Sequence, residues 1–262
     1  MQYSTFAAID IGSYDVILEI FEISKKQGIR SVDKICHRME LGKDTYTLGK
    51  IRPEMEEELC RVLADFVRIM EGYRVDAYRA MASSAISEAA NSLYVLGKIR
   101  QLTGLSVTVL SNSEQRFLGY KALAAMEDNF NKVIEKGTAI LDLDGGSFQI
   151  SLFDKDALVT TQNIRMGSLR VRERLAGIQS ETEHYEEMVE ELIWNEVSSF
   201  KKMYLKDRKI ENIMLIGDVF TDSVYQNIEE KTTKIISREN FNTWYEKIIR
   251  QSPMELAVKL GI

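Results

Sequence analysis

Histidine, cysteine and proline are all scarce in this chain of 262 residues, at two each. His37 and His184 stand apart, neither beside a nucleophile motif nor at zinc-ligand spacing, so a multi-histidine metal centre and a histidine-dependent triad are both poorly supplied. Cys36 and Cys60 cannot build a disulfide framework and form no CxxC, so they read as ordinary buried thiols. No apolar run approaches the roughly 20 residues of a membrane span, and the opening MQYSTFAAID carries no basic stretch ahead of an apolar one. The expectation is a cytoplasmic chain with no membrane partner. Fifteen glycines and two prolines also exclude collagen-like and low-complexity architectures. With no Walker A loop and no GxGxxG, P-loop and Rossmann enzymes drop out too. Hydrolytic chemistry here must lean on carboxylates.

The chain is 45% apolar and 28% charged, with 34 Lys+Arg against 40 Asp+Glu and a formal charge of -6. That is enough apolar material for one large domain or two moderate ones, and the acidic balance argues against a nucleic-acid polymer as partner. Residues 5–23 read as two β-branched strands around a Gly-Ser turn, followed by a strand from Ile29 to Met39. Pro53 then opens an amphipathic helix with Leu59, Val62, Leu63, Phe66, Val67 and Met70 at helical spacing, ending at Gly72. Next come a strand over 75–80, a helix over about 85–102, a strand over 105–110 and a helix over 112–127, which is βαβ grammar. The polar stretch 128–137 is the best boundary, giving domains 1–127 and 128–262.

At Thr138 the pattern restarts. Ala8-Ile9-Asp10-Ile11-Gly12-Ser13 and Ile140-Leu141-Asp142-Leu143-Asp144-Gly145-Gly146-Ser147 share a buried strand, an Asp near its end and a Gly-Ser turn, as in an internal duplication. A strand near 158–164, a helical run over 181–205, the strand 213–216 and terminal helices complete the second half. Each turn can be a plain hairpin, but two of them can wrap a phosphate with backbone N–H groups while the Asp holds Mg²⁺. Arg165, Arg170, Arg172 and Arg174 lie within ten residues and are answered locally only by Glu173, leaving that segment at +3. Such a run serves either as a solvated helix face or as a phosphate-binding wall. Ser111-Asn112-Ser113-Glu114 is a capping box, in which Glu114 reaches back to the first N–H of its helix.

Five segments in order carry a resemblance: FAAIDIGSYDV, MASSAISEAAN, LSNSEQRFLGY, ILDLDGGSFQISLF and RMGSLRVRERL. They are similar to the D-x-G-S-N-S, A-T-x-A-x-R-x-A-x-N, S-G-x-E-E-A-R-L, D-x-G-G-G-S-T-E-L and R-x-x-x-G-x-V-R-L-x-E segments of the exopolyphosphatase/guanosine pentaphosphate phosphatase (Ppx/GppA) family. The resemblance covers nearly the whole chain. It implies an α/β fold of two ribonuclease H-like (actin-like) lobes with a phosphate-binding cleft between them. It further implies Mg²⁺-dependent hydrolysis of terminal phosphoanhydride bonds in polyphosphate or pppGpp. By position, Glu114 matches the general base, and Asp10, Gly12, Ser13, Gly145, Gly146, Ser147, Arg165 and Arg170 match phosphate-binding positions. Asp142, Asp144 and Gln149 are the implied metal ligands. Oligomeric state is open, a homodimer among the options.

The departures from the family pattern are specific. Tyr14-Asp15 replaces Asn-Ser, Ser87 replaces a phosphate-clamping arginine, and Gln149 replaces a carboxylate that Asp144 stands near enough in sequence to replace. The later glycine-rich element is blurred to Gly217-Asp218-Val219-Phe220, and the chain stops at Leu260-Gly261-Ile262, short of the family's usual end. A relative that binds nucleotide or polyphosphate without hydrolysing it is therefore the alternative to the hydrolase.

Overall fold

The computed structural model describes residues 3–126, 130–179, 184–216, 237–252 and 255. Two sheets organise them. The first is built from β1 (Ser4–Ile11), β2 (Asp15–Ser24), β3 (Gly28–Arg38), β4 (Ala77–Ala82) and β5 (Val107–Val109), in the order β3-β2-β1-β4-β5. β1, β2 and β3 pair antiparallel, and β4 and β5 join parallel to β1 and β4. Alternation explains the opening strands: Ala7, Ile9 and Ile11 of β1 and Val16, Leu18 and Ile20 of β2 are buried, with less buried residues between them. β3 lies at the sheet edge, and its outward positions leave Cys36 exposed. The expectation of two buried thiols therefore holds for Cys60 alone.

The second sheet comprises β6 (Thr138–Leu143), β7 (Phe148–Asp154), β8 (Ala157–Ile164) and β9 (Asn212–Ile216), in the order β8-β7-β6-β9 with β9 parallel to β6. This repeats the 3-2-1-4 order of the first sheet. Asp10 and Asp142 are each the penultimate residue of the repeat's first strand, paired with Met81 of β4 and Ile216 of β9. The duplication read from two short motifs thus extends to the order of the strands and to the parallel pairing of the fourth with the first.

The helices are α1 (Leu41–Leu48), α2 (Pro53–Gly72), α3 (Ser84–Ser87), α4 (Ser92–Thr103), α5 (Asn112–Met126), α6 (Phe130–Ile134), α7 (Ser168–Gln179), α8 (Tyr185–Tyr204) and α9 (Arg238–Ile249). In α2, Pro53 occupies the first turn and Leu59, Val62, Leu63, Phe66 and Met70 bury one face among the core of the first sheet. A pair between Glu56, almost fully buried, and Lys98 joins α2 to α4, the ammonium 2.8 Å from Oε1.

The single helix expected over 85–102 is broken into α3 and α4. Ala90 N–H donates to the Gly49 carbonyl at 2.8 Å, and the Asn91 side chain bonds both backbone groups of Ile51, so distant chain holds residues 88–91 out of the helix. The polar stretch expected as a boundary contains α6, because Phe130 and Ile134, one turn apart, bury beside Ile140 and Phe153. The boundary near Asp128, the element at 217–220 and the end at 260–262 fall outside the described residues.

The chain forms two compact units. One contains 1–118, 144–148 and 163–203; the other contains 119–143, 149–162 and 204–262. The first has a large apolar core around β1, β2, β4, α2 and α4. The second has a smaller one around Phe130, Ile134, Ile140 and Phe153, with the Tyr120 and Phe153 rings edge-to-face at 5.3 Å.

Candidate functional site

Both glycine-serine turns belong to the first unit, and they touch. The first is closed by Gly12 N–H donating to the Asp15 carbonyl at 2.9 Å. The start of α1 grips its outer side: Gly42 N–H donates to Ser13 O, and Met39 and Glu40 N–H donate to Tyr14 O, each at 2.9 Å. Ser13 is fully buried, and its hydroxyl lies 2.6 Å from the Tyr46 hydroxyl, which lies 2.8 Å from that of Ser84. Burial of this phenol pushes the Tyr46 pKa up, against the opposing pull of those two hydroxyls.

The second turn is closed by Asp144 N–H donating to Ser147 O at 3.0 Å, while the Asp144 carboxylate accepts from Gly145 N–H at 2.6 Å. The first turn of α7 satisfies its carbonyls: Ser168 N–H donates to Asp144 O at 3.3 Å, and Arg170 N–H to Gly145 O at 3.0 Å. Both central residues need to be glycine for contact reasons. A Cβ on Gly145 would sit 2.8 Å from the Tyr14 ring, and one on Gly146 would sit 2.2 Å from the Tyr46 hydroxyl and 2.4 Å from that of Ser84. The turns therefore pack backbone against side chain with no room for a methyl group.

Arg170 ties this packing together. Its guanidinium lies 3.9 Å over the Tyr46 ring, Nε donates to Gly146 O at 2.8 Å, and Nη2 donates to both Glu88 oxygens at 3.1 and 3.0 Å. Arg165 approaches the same Glu88 at 3.6 Å. Arg172 makes a two-pronged contact with Glu40 at 2.9 and 2.7 Å and also reaches Glu173. Folding adds to the local answer from Glu173: it brings Glu88 from the end of α3 and Glu40 from the start of α1 against Arg165, Arg170 and Arg172, contacts that local charge counting cannot register.

The Arg172 hydrogen bond holds the Glu40 carboxyl below its usual 4.5, so Glu40 binds its proton less readily folded than unfolded. Its contribution to stability is complete above the unfolded value and is lost as pH falls through the lower folded one. In urea unfolding, wild type should exceed Glu40→Gln at pH 7, and the gap should close progressively below about pH 4.5.

Glu114 is exposed and forms the capping box: Ser111 N–H and Oγ–H donate to its Oε2 at 2.8 and 2.7 Å, and its own N–H donates to Ser111 Oγ at 3.3 Å. Those bonds lower its pKa, the backbone one most. Asp10 is exposed and Asp142 half-buried; Gln149 is buried, and its Oε1 has no hydrogen-bond partner among the described residues. No group of three or more His, Cys, Asp or Glu side chains stands close enough to hold a metal among the described residues.

Tyr46 and Glu88 are the site residues that sequence reasoning missed. Tyr46 sits in a short helix whose buried face is Leu41, Gly42, Asp44 and Thr45, too mixed to show as an apolar stripe. Glu88 follows Ser87, the noted departure, which was the available signal.

The model of the Ppx/GppA phosphatase family matches residues 19–259. The chain belongs to that family. A Ppx/GppA protein of known structure from Aquifex aeolicus superposes with a TM-score of 0.73 at 20% identity, over 99% of this chain and 83% of that one. An exopolyphosphatase from Cytophaga hutchinsonii gives 0.78 at 18% identity, over 97% and 82%. These likenesses establish the Ppx/GppA fold. Among curated relatives, a bifunctional 3-dehydroquinate synthase/phosphatase of Fusobacterium nucleatum is 21% identical over 86% of this chain and 34% of its own length. Exopolyphosphatase 1 of Mycobacterium leprae is 25% identical over 55% of this chain and 41% of its own. The chain thus spans between a third and about two fifths of the length of these two relatives. The family match begins after the first glycine-serine turn and includes the second.

Proposed function

We propose that this chain hydrolyses terminal phosphoanhydride bonds, taking inorganic polyphosphate or pppGpp as substrate and Mg²⁺ as metal. The observation that carries the reading is the apposition of the two repeated glycine-serine turns, Ser13 and Tyr14 against Gly145, with Arg170 beside them. In this reading residues 1–127 supply the first turn and Glu114, and residues 128–262 supply the second. Gly12, Ser13, Gly145, Gly146 and Ser147 would orient the phosphate chain, and Arg165 and Arg170 would donate to its oxygens. Glu114 would accept the proton of the attacking water. Like any carboxylate it is ionised at neutral pH and ready to accept, and the bonds from Ser111 that lower its pKa reduce its basicity.

The donors present suit Mg²⁺. Its shell is usually one or two carboxylates completed by phosphate oxygens and water, so a cage of three acidic groups is not required. Asp142 and Asp144 would hold it with Gln149, whose buried Oε1 otherwise lacks a partner. Bound there, the ion would offset negative charge on the phosphoryl oxygens. Purified protein with Mg²⁺ should release orthophosphate from polyphosphate or pppGpp, and retained binding with no release from either would overturn the hydrolase. Gln149→Glu should lower the Mg²⁺ concentration giving half-maximal rate. An unchanged titration would remove position 149 from the metal.

Two observations favour a second reading, a phosphate-binding sensor without turnover: Ser87 stands in the arginine position, and the Arg170 guanidinium is already engaged by Glu88. Its signature is saturable binding of polyphosphate or pppGpp with no phosphate released.

A further inference from the structure

The only two arginines that the family pattern marks for phosphate, Arg165 and Arg170, both face one carboxylate. Glu88 receives Nη2 of Arg170 on both oxygens, at 3.1 and 3.0 Å, and Arg165 at 3.6 Å. Two guanidiniums converging on a pair of oxygens is the arrangement a phosphoryl group would itself adopt. Arg170 and Glu88 side chains are 19% and 25% exposed, so their pairing is less screened than a surface ion pair. The remaining hold on Arg170 is fixed by the fold, with Nε on the Gly146 carbonyl at 2.8 Å and the guanidinium stacked on Tyr46. The Glu88 contact is therefore the one an incoming anion has to displace to gain the same donor.

We propose that Glu88 is an intramolecular competitor for the phosphate ligand, a residue that sets both the affinity and the selectivity of this site. The inference rests on the phosphate-binding reading above. A single phosphate brings little more charge than the carboxylate it must replace, whereas a chain of phosphates also engages the glycine turns while it displaces Glu88. The site should consequently reject orthophosphate and accept only polyanions of several linked phosphates. Serine at 87 and glutamate at 88 act in the same direction: one removes an arginine, and the other occupies those that remain.

Tripolyphosphate and orthophosphate binding, measured by calorimetry on the full chain, test this with wild type, Glu88→Gln, and Glu88→Gln combined with Arg170→Gln. Glu88→Gln keeps the side chain's size and an accepting oxygen, so its thermal unfolding should remain cooperative. Its affinity for tripolyphosphate should rise about tenfold, orthophosphate binding should become measurable, and the double substitution should abolish the gain. Equal or weaker tripolyphosphate binding by Glu88→Gln, or a gain that survives loss of Arg170, would overturn the competition while leaving the phosphate site intact. Absence of tripolyphosphate binding in every folded variant would instead sink the phosphate-binding reading itself, and the competition with it.

Discussion

Glu114→Gln should lower phosphate release from polyphosphate or pppGpp by about 10²–10⁴-fold, the range over which a positioned general base contributes. The substitution is chosen to separate two roles that the same side chain can hold. As the last residue of the capping box and the third of its helix, Glu114 accepts from both the backbone and the hydroxyl of Ser111 through Oε2. A glutamine amide oxygen can accept those bonds, so the cap should weaken by no more than about 1 kcal/mol. If capping were its whole function, the rate would track that small stability change and return on mild cooling. A base is different: the amide cannot take a proton from water at all. The decisive measurement is initial rate at saturating substrate beside the unfolding free energy of the same preparation. A fall in rate of less than tenfold would reduce Glu114 to a helix cap.

Gly167→Ala should cost about 3 kcal/mol and lower the melting temperature by about 10 °C. Gly167 immediately precedes α7 and packs on the second turn, where an added Cβ would lie 2.3 Å from Ser147 N, 2.4 Å from Asp144 O and 2.4 Å from the Gly145 carbonyl carbon. All three are backbone atoms. None can rotate aside as a side chain would, so the turn or the helix start must shift and strain the bonds from Ser168 and Arg170 to the turn carbonyls. Gly177→Ala, inside α7, supplies the contrast. No atom lies within 4 Å of its added Cβ, and relief of the helical glycine penalty should stabilise by about 0.5–1 kcal/mol. Thermal melts of the two variants side by side check both signs, and a Gly167→Ala protein that melts with wild type would show that the second turn is not packed against α7.

Much of the scaffold was legible because its signals are local. Alternation along 5–23 marks strands whose two faces differ, and the apolar stripe from Leu59 to Met70 marks a helix with one buried side. The capping box at Ser111 is legible for the same reason, since all its partners lie within four residues. What escaped is non-local. Asn91 breaks a helix through bonds to Ile51, and α1 buries a glycine, an aspartate and a threonine, the Thr45 hydroxyl donating to the Ala85 carbonyl at 2.7 Å and Asp44 pairing with Arg52. No periodicity announces residues that are buried because a distant partner satisfies them.

The sequence by itself determined the family, the repeated strand-Asp-turn unit and the positions of both glycine turns, because these depend on short stretches whose backbone demands glycine or an apolar strand. Only the tertiary structure decided what surrounds those turns. Tyr46 bridges Ser13 and Ser84, and the arginines answered along the chain only by Glu173 are met by Glu40 and Glu88 from over 70 residues away. The physical reason is the range of the interactions. Backbone conformation is set within a few residues, but the field at a guanidinium is set by whichever charge folding places within a few ångströms of it.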